Sequence, residues 1–185
     1  MKRYSFKTSK TAFVLILSFS KLYLVTNLLF KDDKCQVTAK YKKSLQLLDL
    51  SHNEIESREK LSFCNFPSLQ VVNLSYNALV MFPEFLECPK LKKINVSNNK
   101  IYLNANKISL PSLEQLDLQN NMLTEMPDIT GSANLQYLNL ENNRRIKSFY
   151  ASEQYANIKN LWIMEGNSFS PDALNALNSS GSMQV

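Results

Sequence analysis

Apolar residues along this chain recur with a spacing that is neither helical nor a plain strand alternation. In LQLLDLSHNEI (45–55) they fall at Leu45, Leu48, Leu50 and Ile55, with Asn53 among them. The same spacing returns in LQVVNLSYNAL (69–79), LKKINVSNNKI (91–101) and LEQLDLQNNML (113–123). A fifth copy, LQYLNLENNRRI, keeps Leu135, Leu138, Leu140 and Asn143 but pushes its last apolar residue out to Ile146. The asparagines Asn53, Asn77, Asn99, Asn121, Asn143 and Asn167 stand 24, 22, 22, 22 and 24 residues apart. A fixed period of this size marks an array of stacked units, each too small to bury its own apolar face.

The pattern resembles the leucine-rich repeat family, whose signature is L-x-x-L-x-L-x-x-N-x-L. The resemblance covers residues 45–169 and implies a fold. That fold is an α/β solenoid with a parallel concave sheet of six or seven short strands and a mostly irregular convex side. Strands are expected near 45–50, 69–74, 91–96, 113–118 and 135–140, about 4.8 Å apart, with the template leucines inside. Leu116 is therefore expected to be fully buried. Each ladder asparagine turns the chain off its strand and can bond backbone groups of adjacent turns. Losing one would cost about 1–3 kcal/mol, as an orphaned buried polar group does.

The returns leave about a dozen residues each, and Pro67, Pro83, Pro89, Pro111 and Pro127 fall in them. Proline there favours extended or single-turn structure. Within MFPEFLECPKL (81–91) a short helical turn is expected, beginning near Pro83. The last repeat has two registers. Counting back from Asn167 places Trp162, Met164 and Phe169 in the core, whereas counting forward from Ile158 places Leu161 and Ile163 there. A bulge between Ile163 and Asn167 reconciles them. Residues 170–178 read as a C-terminal cap helix, with Ser170 as N-cap, Pro171 at the first helical position and Leu174 and Leu177 facing the stack. Residues 179–185 read as a flexible tail.

The amino-terminal segment stays open. Residues 1–18 form a basic and apolar leader or an N-terminal cap. Lys2, Arg3, Lys7 and Lys10 before AFVLILSF (12–19) also fit a secretory signal, and a membrane anchor is the third reading, although Lys21 interrupts the apolar stretch. In FSKLYLVTNLL, residues Phe19, Leu22, Leu24, Asn27 and Leu29 match the repeat template, so 19–44 reads as a cryptic first repeat with Asn27 as its ladder residue. On that reading Leu22 and Leu24 lie beside Leu48 and Leu50.

Charge refines this picture. The net charge of the 185-residue chain is +5. Residues 1–43 carry ten Lys/Arg against two Asp, and 44–185 carry eleven Lys/Arg against fourteen Asp/Glu. The repeat body is thus mildly acidic, and nucleic acid is not an expected partner. Three glycines leave no phosphate-cradling loop, so no cofactor or small-molecule substrate is expected. Cys35, Cys64 and Cys88 form no CxxC. Cys64 and Cys88 each lie eleven residues after a ladder asparagine, which suggests equivalent places on the return and small buried thiols. Nothing resembles the cysteine-rich caps of secreted members, which favours a reducing compartment. The expected location is cytoplasmic, with secretion or a membrane anchor as the alternative.

No enzyme is expected. Asp49 and Asp117 share one column of the template but sit three strands apart, about 14 Å, beyond the about 5–9.5 Å of a glycosidase carboxylate pair. His52 is the one histidine, and both template cysteines belong to the opposite arc. The chain reads instead as a protein-binding module or scaffold. A bare sheet of seven strands offers about 330 Å², less than the about 800 Å² a specific partner covers, so rim residues must take part. The candidate partner-binding side chains are Asp49, His52, Asn73, Tyr76, Lys93, Asn95, Gln115, Asp117, Tyr137, Asn139 and Glu141. Among them Tyr76 and Tyr137 are the expected anchors.

Overall fold

The structure is a computed structural model. It describes residues 4–9, 12–17, 43–57, 62–102, 107–147, 155, 158–163, 165–173 and 175, the first two stretches and residues 57 and 64 as backbone only. Twelve short strands appear among the described residues: β1 Tyr4–Ser9, β2 Ala12–Leu17, β3 Leu45–Asp49, β4 Glu56–Ser57, β5 Ser62–Cys64, β6 Val71–Asn73, β7 Ala78–Leu79, β8 Glu84–Leu86, β9 Lys93–Asn95, β10 Gln115–Asp117, β11 Tyr137–Asn139 and β12 Asn160–Trp162. The main sheet runs β1-β2-β3-β6-β9-β10-β11-β12. Pairing is parallel from β2 to β12, and β1 joins β2 antiparallel. The registers Leu48↔Val72, Val72↔Ile94, Ile94↔Leu116, Leu116↔Leu138 and Leu138↔Leu161 run in line.

Those aligned residues are the core. Leu48, Val72, Leu116 and Leu138 have no exposed surface, nor have Leu50, Leu74, Val96, Leu118 and Leu140 two residues on. Alternation along each strand sends these side chains inward and the intervening ones to the concave face. Ile55, Leu79, Ile101, Leu123 and Ile146 close the core behind the asparagines.

The asparagines form a shared ladder. Nδ2 of Asn121 donates to its own Leu118 carbonyl and to Val96 of the preceding repeat, both at 3.0 Å, and Oδ1 accepts from Ile101 N–H at 3.0 Å. Asn77, Asn99 and Asn143 make the same set one repeat apart. Each carbonyl after the last strand leucine is therefore held by two asparagines, its own and the next. This satisfies main-chain groups that the tight turn would otherwise bury unpaired.

The ladder ends irregularly. Asn167 donates to Leu140 and Ile163 carbonyls, but its buried Oδ1 has no partner. The cause is the extra residue in NNRRI. Elsewhere the donor to each Oδ1 is the amide two residues after the preceding asparagine. Here the apolar residue that carries that amide is displaced to Ile146, which bonds Asn143 O instead. Along the strand of the last repeat the register counted from Ile158 holds, with Leu161 and Ile163 buried and Trp162 46% exposed. Beyond it Phe169 packs against the core, as counting back from Asn167 expects, and Met164 lies outside the described residues. Asn167 reaches back four residues to Ile163 where its counterparts reach three, which is the extra residue of the bulge.

The convex side holds two small parallel sheets, β4–β7 and β5–β8, over a phenylalanine cluster. Phe63 stacks on Phe85 with ring centroids 5.0 Å apart, and Phe66 and Phe82 flank them. The turn of helix expected near Pro83 is corrected here. Glu84–Leu86 is a strand, because pairing with Ser62–Cys64 satisfies its backbone. The equivalence of Cys64 and Cys88 is also corrected. Cys64 pairs with Leu86, and Cys88 corresponds to Phe66, since Leu69 and Leu91 N–H donate to Phe66 and Cys88 carbonyls. The two extra residues of the longer repeat fall between Ile55 and Ser62, so positions align when counted back from the following strand. Cys88 is buried, with its Sγ 3.8 Å from Phe63 O. Leu110, Ser132 and Tyr155 continue its column. Ser132 replaces an apolar side chain there by bonding Leu110 N and Ile108 O, and Tyr155 does so by donating to Pro127 O at 2.6 Å. Burial raises the Tyr155 hydroxyl well above the usual phenol range.

At the amino end, the place beside β3 that Leu22 and Leu24 were expected to fill is held by β2. Residues 18–42, and with them Asn27 and the expected first repeat, lie outside the described residues. At the carboxyl end Ala173 N–H donates to Ser170 Oγ at 3.2 Å, and residues 171–173 and 175 are helical. Leu174, Leu177 and the tail 179–185 lie outside the described residues. Among the described residues no helix is long and apolar enough to cross a membrane.

Candidate functional site: the concave face and its rim

The parallel register sorts the candidate residues into columns. Lys93, Gln115 and Tyr137 are aligned partners at the start of β9, β10 and β11. Asp49, Asn73, Asn95, Asp117 and Asn139 are aligned partners at the strand ends, and Trp162 extends that column. Ser51, Ser75, Ser97, Gln119, Glu141 and Glu165 come next, since the amides of His52, Tyr76, Asn98, Asn120 and Asn142 donate to the carbonyl one repeat on. Those amides belong to the rim column itself, His52, Tyr76, Asn98, Asn120, Asn142 and Gly166.

The strand-end column is mostly committed to the turn. Asp49 Oδ1 accepts from the Ser51 amide and hydroxyl at 2.9 and 2.7 Å. Asn73 takes the same pair from Ser75. Asn95, Asp117 and Asn139 accept from the amides of Ser97, Gln119 and Glu141 at 2.9, 3.0 and 3.0 Å. Each side chain thus makes an Asx turn that begins the exit from its strand. Burial raises the Asp117 carboxyl above its ordinary value, against the lowering effect of the Gln119 amide. Glu141 is also raised, first by desolvation and then by the negative charges of Glu165 and Asp117.

The rim column has an unusual backbone. His52, Tyr76, Asn98, Asn120, Asn142 and Gly166 all have φ between 53° and 66°, the left-handed region that suits glycine and asparagine and costs other residues about 1–2 kcal/mol. Asparagine fills it at three of these places. At the last, glycine is required twice over: φ is positive, and a Cβ would collide with the Asn142 carboxamide. At the amino end, however, the column carries a histidine and a tyrosine. Their rings stack with centroids 4.3 Å apart and planes 10° from parallel, and Tyr76 is 51% exposed. Further along, Asn120 Nδ2 donates to Asn98 Oδ1 at 3.0 Å. Side chains in this column thus meet across repeats at His52–Tyr76 and at Asn98–Asn120, because the identical backbone turn sets them one strand spacing apart.

The remaining candidates are spread along the face. Lys93 and Gln115 are exposed, Tyr137 is half-buried and Asn139 is buried, its amide 3.5 Å from the Tyr137 hydroxyl. Two side chains that belong to this face were absent from the sequence expectation. Trp162 was placed in the core by one of the two registers, and Glu165 was hidden by the irregular spacing of the last repeat. Counting forward from Ile158 is the signal that finds Trp162.

The family profile described as leucine rich repeat matches residues 43–101, and that described as leucine rich repeats (2 copies) matches 111–159. Among solved structures, the crystal structure of the leucine-rich repeat domain of APL1B is similar, with a TM-score of 0.58 and 29% identity over 73% of this chain and 39% of that one. A leucine-rich repeat protein of Leptospira interrogans aligns at 19% identity over 74% of this chain and 59% of that one, with a TM-score of 0.33. This chain therefore spans about two fifths of the APL1B chain it resembles. No curated protein sequence matches it. With the repeated template, the aligned parallel strands and the asparagine ladder all in one register, the chain belongs to the leucine-rich repeat family.

Proposed function

We propose that this chain is a non-catalytic protein-interaction module that binds a protein partner through its concave face and the adjoining rim. Leucine-rich repeat proteins generally mediate protein–protein interaction. What carries the reading to this face is the stacked, exposed pair His52–Tyr76. Two bulky rings held at left-handed positions are unfavourable for the free chain, and rigid exposed aromatics make effective interface anchors. Asp49 and Asp117 serve the turn through backbone bonds, which favours binding over acid–base chemistry. A cytoplasmic location belongs to the same proposal. It is tested by the first residue of the protein isolated from its native source, and a start after the apolar run 12–19 overturns it.

The test of binding isolates a natural partner with the full chain and measures its affinity for Tyr76→Ala, Tyr137→Ala and Leu86→Ala, with folding checked by circular dichroism. Leu86 is 48% exposed on the convex side. The tyrosine variants are expected to lose about tenfold or more in affinity, the scale of an interface hot spot, and Leu86→Ala to bind normally. Loss of binding in Leu86→Ala, with both tyrosine variants folded and unaffected, refutes the choice of face.

A further inference from the structure

The concave face is chemically uneven. Toward the amino end it carries half-buried Leu47 and Val71, the serines Ser51 and Ser75, and the His52–Tyr76 pair. Toward the carboxyl end it carries the exposed indole of Trp162 and the Tyr137 ring. In the strand register Trp162 lies beside Asn139, and Tyr137 opens the same strand as Asn139. Glu165 stands one strand beyond Glu141 in its column, since Asn142 N–H donates to Glu165 O as Asn120 N–H does to Glu141 O. Asp117 is one strand back from Asn139. Two aromatic rings and three carboxylates thus occupy three neighbouring strands, within about 10 Å along the sheet.

This arrangement is unfavourable on its own. Like charges on adjacent strands repel, and desolvation first, then the charges of Glu165 and Asp117, raise the Glu141 carboxyl above its ordinary value. Gln119 gives Glu141 a neutral donor, Nε2 at 3.2 Å. Lys92 pairs with Glu114 at 2.7 Å on the edge before the strands. A cation laid over the indole would relieve the repulsion and gain attraction from the ring face, and arginine suits both the flat ring and the carboxylates.

We propose that the carboxyl-terminal half of the concave face, from Asp117 to Glu165, docks a basic segment of a protein partner, with an arginine or lysine of that segment lying over Trp162 between Glu141 and Glu165. This inference rests on the reading of the face and rim as a protein-binding surface, and it names the chemistry of the partner. Nucleic acid is disfavoured there because the carboxylates repel phosphate.

The chain's one tryptophan is Trp162, so its fluorescence reports on this face directly. The full chain is titrated with a short Arg-Gly repeat peptide and with a Glu-Gly peptide of equal length. The basic peptide is expected to change Trp162 emission saturably, less so at higher salt, and the acidic one to leave it unchanged. The double variant Glu141→Gln, Glu165→Gln should weaken binding by roughly three- to tenfold, and Trp162→Ala, followed by calorimetry, should weaken it too. Leu86→Ala should bind as the parent does. No saturable change with the basic peptide overturns the inference, as does an equal response to both peptides or an unaffected double variant. If the basic peptide fails while Tyr76→Ala still weakens the natural partner, the basic-segment inference falls and the interaction reading stands.

Discussion

Replacing Asn121 by alanine tests how the repeats are held together. Asn121 is 8% exposed. Its Nδ2 bonds the carbonyls of Leu118, Val96 and Gln119 at 3.0, 3.0 and 3.2 Å, and its Oδ1 is the acceptor for Ile101 N–H. The carbonyls keep other partners after the change: Val96 O retains Asn99, Leu118 O retains Asn143, and Gln119 O retains the Asn98 amide. Ile101 N–H is left bare beside a core side chain with no exposed surface. An orphaned buried amide costs about 1–3 kcal/mol, and each lost bond to a carbonyl that keeps another partner adds less, so the total should be about 2–4 kcal/mol. Asn167→Ala is the internal control. Its Oδ1 already lacks a partner, so no amide is orphaned, and the cost should stay near or below about 1 kcal/mol. Urea unfolding followed by far-ultraviolet circular dichroism measures both. Equal losses for the two variants, or a loss below about 0.5 kcal/mol for Asn121→Ala, would refute the account of the ladder.

Removing Arg145 should restore the template spacing of the fifth repeat and bring an amide to Asn167 Oδ1. It is expected to raise the melting temperature, by about 1 kcal/mol of added stability, and a fall would show that the bulge at 163–167 depends on the insertion. The raised Asp117 carboxyl makes a pH-dependent prediction. Its charged form is penalised by folding, so that penalty is full near about pH 7 and fades as pH falls through the folded-state value toward the ordinary value of about 3.9. Asp117→Asn should therefore stabilise the fold at neutral pH, and its advantage should vanish near about pH 3. Asparagine already makes the same turn at Asn73, Asn95 and Asn139. A thermal melt that shows the reverse trend sinks this reading.

The solenoid was legible in the chain because its template is periodic. Leu48, Leu50, Asn53 and Ile55 recur in register, and one unit cannot bury its apolar face without its neighbours. Burial of Leu116, the parallel strand order and the asparagine turns all follow from that repetition. Where repetition breaks, local pattern was not enough. The choice between Leu161 and Trp162 for the core needed the pairing of β11 with β12. The strand Glu84–Leu86 needed a partner strand across the return, which no window of sequence contains. Phe66, not Cys64, matches Cys88 because the added residues sit ahead of Ser62. The amino-terminal slot beside Leu48 went to Ala12–Leu17, although the template match at Leu22 and Leu24 was as good as any internal copy.

The binding face divides in the same way. Its residue types were readable, since every position between the template leucines points away from the core. Their pairing was not, because it depends on a left-handed turn that sets side chains of successive repeats parallel. Only that turn brings His52 onto Tyr76 and Asn98 to Asn120; the pairing of β11 with β12 sets Trp162 beside Asn139, and the bulge after Ile163 sets Glu165 beside Glu141. The chain's periodicity determined which side chains face outward; the stacking of one repeat on the next decided which of them meet, because contacts across strands depend on register, and insertions shift register without altering composition.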